Sequence, residues 1–385
     1  MQQSGEILMQ LIRNEVCGLP LHFADDVQIS DKCLAELLIL ARKHDVSHLV
    51  ASALIKNELL NESSLAGVLK DELYTAIFKY EKTAAVFNEV SSAFDSESIQ
   101  YIPLKGMVIR DCYPQPWMRT SRDIDILVRK EDLNSAVNLI CEKCECTVFN
   151  SGEHDITLRS SDGIFVEIHF SLLGNKKSPL YSEILEKVWE TAKHIEGCRY
   201  SLDEKTAYYY HILHMAKHFR IGGCGLRPFL DLWLIDKQRL FADNEVLPLL
   251  EKSNLLLFYN NAEKLSKVWF DSESHDETTL AMQEFIIEGG SFGSAKTRIA
   301  SQQHNSGGKL QYIISRLFIP IKELKTEYPV LRKCIVFLPF FIIYRWLSLL
   351  FGRKKHLRKT QLKNANNVSQ EHINDINLLF ERVGL

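Results

Sequence analysis

The chain carries no excess of either charge. Its 46 Lys and Arg stand against 49 Asp and Glu, a formal net charge of −3. No global field therefore draws it to nucleic acid or to a membrane, and only local basic patches remain open. A disulfide framework is missing too. The cysteines number nine, an odd count spread over 385 residues, which points to a reducing cytosol. Cys141, Cys144 and Cys146 sit close together, but no second pair follows them. A structural zinc site needs four ligands, so no metal is expected there. There is no internal repeat. No basic stretch leading into an apolar core opens the chain, so no signal peptide is expected. Ile7, Leu8, Leu11 and Ile12 fall instead at amphipathic helical spacing.

A clean membrane span is also lacking. Cys334 to Phe351 is strongly apolar and is followed by Gly352-Arg353-Lys354-Lys355, but Pro339 and Arg345 interrupt it. A spanning helix needs about 20 apolar residues. An Arg at the bilayer centre costs about 2.5–3.5 kcal/mol. Two readings stay open: a buried or half-buried helix, or a helix lying on a membrane surface with residues 334–359 as the contact.

What is present is ordinary globular material, with 46% hydrophobic and 25% charged residues, and length for two or three domains. The periodicity predicts helices through residues 1–98. A change comes near residue 99. Residues 99–170 predict β-α-β-α-β-β-β, a mixed sheet with helices on one side. Helical texture returns from about 180. Residues 289–309 are Gly/Ser-rich and predict a long loop or hinge. The expected organisation is α+β: a helical region at 1–98, a small mixed-sheet core at 99–175, a helical region lining a cleft at 176–288, and a loop with C-terminal helices at 289–385.

The strongest chemical signal is Arg122-Asp123-Ile124-Asp125-Ile126-Leu127-Val128. On a strand, Asp123 and Asp125 share one face, about 7 Å apart, while Ile124, Ile126 and Val128 face the core. Two repelling carboxylates in that arrangement suit a divalent cation, and magnesium prefers such oxygen ligands. Glu167 and His169 share one face of a second strand, with Val166, Ile168 and Phe170 on the other. Glu167 is the natural third acid, or else a solvated strand residue. Leu104-Lys105-Gly106 stands at a strand-to-helix junction, where glycine admits a phosphate to the backbone and the helix start attracts anions. His211, His214 and His218 lie at i, i+3 and i+7 on one predicted helix, lining a cleft or packing locally. Arg227 and Asp231, four apart, could pair along their helix.

Together these pieces resemble the nucleotidyltransferase superfamily with the DNA-polymerase-beta-like fold, over roughly residues 99–170. More narrowly the chain is similar to a bacterial family of uncharacterised nucleotidyltransferases. The resemblance is carried by Leu104-Lys105-Gly106, Tyr113-Pro114-Gln115-Pro116 with Arg119, Asp123-Ile124-Asp125 and Glu167-Ile168-His169. It continues through His214, Lys217-His218, Arg227 and Asp231. One departure is Lys105-Gly106-Met107, where the superfamily usually has Gly-Ser or Gly-Gly. The resemblance implies a magnesium-dependent enzyme that moves a nucleoside monophosphate from ATP or another NTP to an acceptor, with two Mg²⁺ ions accompanying the nucleotide. Asp123, Asp125 and Glu167 would be catalytic metal ligands. Lys105, Gly106, Arg119, Arg122, His169, His218 and Arg227 would contact substrate or phosphate. Arg119 and Arg122 could instead pair with the aspartates when nucleotide is absent. The acceptor could be a small molecule, a sugar, a protein or an RNA end. The expected location is cytoplasmic, with the membrane surface as the alternative. Two rival functions are a catalytically silent nucleotide-binding module and a membrane-surface enzyme of polysaccharide or lipid-linked synthesis.

Overall fold

The computed structural model describes residues 2–23, 29–60, 63–152, 154–172, 183–239, 243–291, 293–305, 330–351 and 369–385, with isolated positions between 311 and 328. The N-terminal region is helical as expected: α1 (Gln2–Cys17), α2 (Asp31–Lys43), α3 (Ser47–Lys56) and the long α4 (Ala66–Ser96). Ile7, Leu8, Leu11 and Ile12 form the buried stripe of α1. Ser30 caps α2, its side chain accepting from the Cys33 amide.

The sheet begins with β1 (Tyr101–Pro103), a short helix α5 (Gly106–Ile109), and β2 (Asp123–Val128). Then come α6 (Leu133–Lys143), β3 (Thr147–Ser151), β4 (Asp155–Arg159) and β5 (Phe165–His169). The β-α-β-α-β-β-β order is the one the sequence predicts. Beyond one-turn helices α7 (Glu183–Glu186) and α8 (Val188–Thr191), two further strands appear: β6 (Lys193–Glu196) and β7 (Arg199–Ser201). Helical texture was the expectation from about 180. These strands escape it because β6 is exposed throughout and mostly polar, with no apolar face to alternate. The full strand order is β3-β4-β5-β2-β1-β7-β6.

One sheet face is apolar. Val90 and Phe94 of α4 and Ala136 and Ile140 of α6 pack against Ile124, Ile126, Val166 and Ile168. Each such burial contributes about 1.5–3 kcal/mol for the larger side chains. Because side chains alternate, anchoring these residues inward turns Asp123, Asp125, Glu167 and His169 to the opposite face. β2 and β5 run parallel with Asp125 opposite Glu167, so acids from two strands meet on that face.

The C-terminal helical region is α9 (Glu204–Arg220), α10 (Arg227–Gln238), α11 (Asp243–Lys252), α12 (Leu256–Phe270) and α13 (Glu277–Gly289). Next is α14 (Ala295–Asn305), which lies inside the stretch the sequence predicts as a long loop. The Ser residues that suggested a loop include a cap: Ser294 Oγ accepts from the Thr297 amide at 3.1 Å. Thr297 Oγ1 then donates to the Gly222 carbonyl, and α14 packs on the last helix, Gln370–Val383. Residues 292 and 306–309 of the predicted loop lie outside the described residues.

The apolar segment near the C-terminus forms the helix Leu338–Phe351. The helix is half-buried, as one of the two sequence readings has it: Phe340 is 61% exposed and Ile343 54%, Phe341, Ile342 and Trp346 are partly covered, and Arg345 is buried. Among the described residues no helix is long and apolar enough to cross a membrane.

Phe219 at the end of α9 organises the helical region. Its ring centroid lies 4.8 Å from Phe285, 5.6 Å from Phe258 and 6.0 Å from Phe380. Phe219→Ala is expected to cost about 3–5 kcal/mol in stability, the range for emptying a buried aromatic position. Denaturant unfolding measures it; a loss below about 1 kcal/mol would mean that the cluster does not hold α9.

Candidate active site

A cleft of about 640 Å³ lies between the polar sheet face and helices α9 and α10. Every residue singled out in the sequence as catalytic or substrate-binding lines it: Lys105, Gly106, Arg119, Arg122, Asp123, Asp125, Glu167, His169, His218 and Arg227. They do not all do the same work.

Asp125 is the centre. It is 3% exposed, and its Oδ1 accepts from Lys105 Nζ at 2.7 Å and hydrogen-bonds His169 Nε2 at 2.8 Å. His169 Nε2 also lies 3.6 Å from Glu167 Oε2. Ligand-capable atoms of Asp125, Glu167 and His169 all fall within 4.8 Å of one another. Asp123, one strand step away on the same face, does not belong to that tight group. Carboxylate oxygens suit a hard cation such as magnesium, and the imidazole nitrogen widens the donor set.

Burial would raise the Asp125 carboxyl, but Lys105 and His169 reverse this and hold it well below the usual carboxylate range. Burial pushes Glu167 up to about 7, with the charges of Asp125 and Asp123 adding to the rise. Asp123 is likewise raised, by burial and then by Asp125. Burial would lower the Lys105 ammonium, but Asp125 outweighs it and raises the group. The site thus holds one firmly ionised acid beside two that resist ionisation.

Lys105 reaches Asp125 because of its backbone. The Leu104 amide donates to the Asp125 carbonyl at 2.9 Å, fixing the end of β1 on β2. Lys105 itself takes φ 49° and ψ −122°, a conformation L-residues rarely adopt. Gly106 follows in close packing: a Cβ there would lie 2.3 Å from Ser121 Oγ.

The arginines are spent on holding the frame. Arg119 donates from Nε and Nη2 to both oxygens of Asp231 and from Nη1 to the Thr120 carbonyl. Tyr113 Oη donates to Asp231 at 2.7 Å. Arg227 Nη1 reaches Asp45 Oδ2 at 2.8 Å and Thr120 at 3.0 and 3.1 Å. The helical pairing of Arg227 with Asp231 expected from their spacing is therefore replaced by two longer-range pairs. The partner that Asp125 takes is Lys105, not Arg119. Arg122 lines the cleft, and its charge lies near Asp45, where it helps hold that carboxyl down after Arg227.

Across from the acids, α9 contributes Tyr210, His214, Lys217 and His218. His214 and His218 hydrogen-bond through their Nε2 atoms at 3.1 Å. Burial, then nearby cations, lowers both imidazoles, His218 to about 4, so the pair is neutral at pH 7. His211, the third of the predicted row, instead hydrogen-bonds the Pro228 carbonyl. His154, stacked 6.1 Å from His169, and Asp45 were not legible in sequence; neither carries a motif, and only the fold brings them in.

A family model described as "Uncharacterised nucleotidyltransferase" matches residues 32–271, more than half of the chain. No curated protein matches by sequence. The solution structure of the antibiotic-resistance factor ANT(2'')-Ia is similar over 45% of this chain and 91% of that one. Its identity is 11% and its TM-score 0.34, which carries nothing across to this chain.

The Arg119–Asp231 pair gives a test. Arg119→Met leaves Asp231 buried without its guanidinium and should cost about 3–5 kcal/mol. Adding Asp231→Leu should return part of that loss, since an apolar pair replaces an orphaned charge while the buried Tyr113 hydroxyl gives up its acceptor. Urea melts of the single and double variants distinguish this from a peripheral ion pair, for which both would stay near wild type.

Proposed function

The chain belongs to the family of uncharacterised nucleotidyltransferases, and from that premise we propose that Asp123, Asp125 and Glu167 run a magnesium-dependent nucleotidyl transfer from an NTP to an acceptor hydroxyl or other nucleophile. The observation that carries this reading is the in-register pairing of β2 and β5, which sets Asp125 against Glu167 on one face of the cleft. Two magnesium ions held by these carboxylates would supply positive charge at the attacking and leaving oxygens.

The chain's own residues do the rest. Asp123 and Asp125 offer oxygens at fixed spacing on a rigid strand. His169 holds Asp125 Oδ1 in place. Glu167, set opposite Asp125 on the neighbouring strand, takes the acceptor proton. The acceptor oxygen forms its bond to the α-phosphorus as the bond to the β-phosphate oxygen breaks, and pyrophosphate leaves. Lys105 and Arg122 face the phosphates, with Gly106 admitting them to the backbone. Arg119 and Arg227 act through the frame they hold, and His218 with His214 presents a neutral hydrogen-bonding wall to substrate.

The reading is tested with each α-labelled NTP, Mg²⁺ and a cell lysate, following where the label goes. Asp123→Asn and Asp125→Asn should each reduce transfer to background. Their stabilities should part: Asp123→Asn keeps or raises the melting temperature, because it removes a repelling charge. Asp125→Asn lowers it, because Lys105 loses its ion pair. Labelled transfer by both variants at wild-type rate would overturn the assignment, and nucleotide binding without any transfer would favour the silent module.

A second reading concerns location. Val336, Phe337, Phe340, Ile343, Tyr344 and Leu347 are all at least half exposed on or just before the helix Leu338–Phe351, at helical spacing. This favours contact with a membrane surface and an acceptor in polysaccharide or lipid-linked synthesis. The 385-residue chain should float with anionic liposomes while a truncation before Cys334 stays at the bottom of the gradient. Equal behaviour of the two would remove the reading.

A further inference from the structure

Lys105 and His169 meet Asp125 on the same atom. Oδ1 accepts from Lys105 Nζ at 2.7 Å and hydrogen-bonds His169 Nε2 at 2.8 Å. The pair is largely out of water, the side chains being 23% and 4% exposed. The same carboxylate, with Glu167 and His169, forms the one group among the described residues whose ligand atoms converge closely enough for a cation. An ammonium group therefore stands on an oxygen that a divalent ion would use.

We infer that Lys105 is a built-in counter-ion that a divalent metal must displace, so that metal and triphosphate enter the cleft together. The inference rests on the metal reading proposed above and assigns Lys105 two positions. Without substrate it neutralises Asp125. With substrate its ammonium moves to a phosphate oxygen, an acceptor of equal or greater strength. Two cations cannot share one buried carboxylate without strong repulsion, since low dielectric magnifies their interaction. Metal alone must push Lys105 off Asp125, and the other acids whose charge it feels, Asp123 and Glu167, are themselves drawn to the metal. A polyphosphate supplies a new partner and draws the ammonium away. The coupling is reciprocal, so metal tightens phosphate binding by the factor that phosphate tightens metal binding.

The geometry also says why a lysine can serve. Its Cα sits at the strand-to-helix turn with positive φ, and its flexible stem can swing without moving the sheet. Asp125 keeps the His169 contact when Lys105 leaves, so the carboxylate stays oriented.

The test is Mn²⁺ binding, read by calorimetry and by the loss of the free-ion EPR signal, with inorganic tripolyphosphate as the phosphate probe. Lys105→Met is expected to bind Mn²⁺ alone about tenfold more tightly than wild type. It is expected to bind tripolyphosphate more weakly, and the factor by which tripolyphosphate tightens Mn²⁺ should shrink. A merely structural lysine would weaken both. Lys105→Arg keeps the charge and should keep weak metal binding. If Lys105→Met unfolds, Lys105→Gln, which retains a hydrogen-bond donor for Asp125, replaces it with the same expectation. Mn²⁺ affinity that is unchanged or weaker in the neutral variants overturns the displacement while leaving the metal reading standing. Failure of wild type to bind Mn²⁺ even with tripolyphosphate overturns the metal reading and this inference with it.

Discussion

A carboxylate charge taken out of water costs several kcal/mol unless it is paired, and Asp125 is such a charge. Much of the surrounding structure meets that cost. The turn after β1 puts Lys105 into an unfavourable backbone conformation so that its ammonium reaches Oδ1. The end of β5 puts His169 on the same oxygen from the other strand. The apolar residues that alternate with the acids fix which face they occupy, by packing on α4 and α6. Remove the pairing and the strand would carry an uncompensated buried charge at the centre of its sheet.

Around this centre lies a frame of arginines. Arg227 joins Asp45, between α2 and α3, to Thr120 in the loop before β2. Arg119 joins that same loop to Asp231 on α10. N-terminal helices, sheet and C-terminal helices are thus tied at adjacent residues of one loop, immediately before the strand that carries both aspartates. The cleft owes its shape to these ties as much as to the strands, because α9 and α10 form its far wall.

The acids were legible in the sequence because strand periodicity is local: residues two apart share a face whatever the rest of the chain does. The same logic identified the apolar faces and the order of elements from β1 to β5. Partner choice was not legible. Arg119 and Asp231 are 112 residues apart, and Arg227 and Asp45 are 182 apart, so no spacing rule reaches them. Local spacing suggested Arg227 with Asp231, and two long-range pairs, Arg119–Asp231 buried and Arg227–Asp45 half-buried, replaced it. β6 was lost because a short, exposed, charged strand has no pattern to read. α14 was lost because serine is both a loop residue and a helix cap, and composition cannot separate the two.

The separation between Arg119 and Asp231 has a consequence for synthesis on the ribosome. Strands β1 to β5 and their acids emerge well before α10 does. Until residue 231 leaves the exit tunnel, Arg119 and Tyr113 lack the carboxylate around which they are buried in the finished protein. Contacts closed over so long a loop form late, after the local hairpins of the sheet. The nascent chain therefore carries its acidic face before it has a cleft wall, and the emergence of α10 is the step that encloses the chemistry.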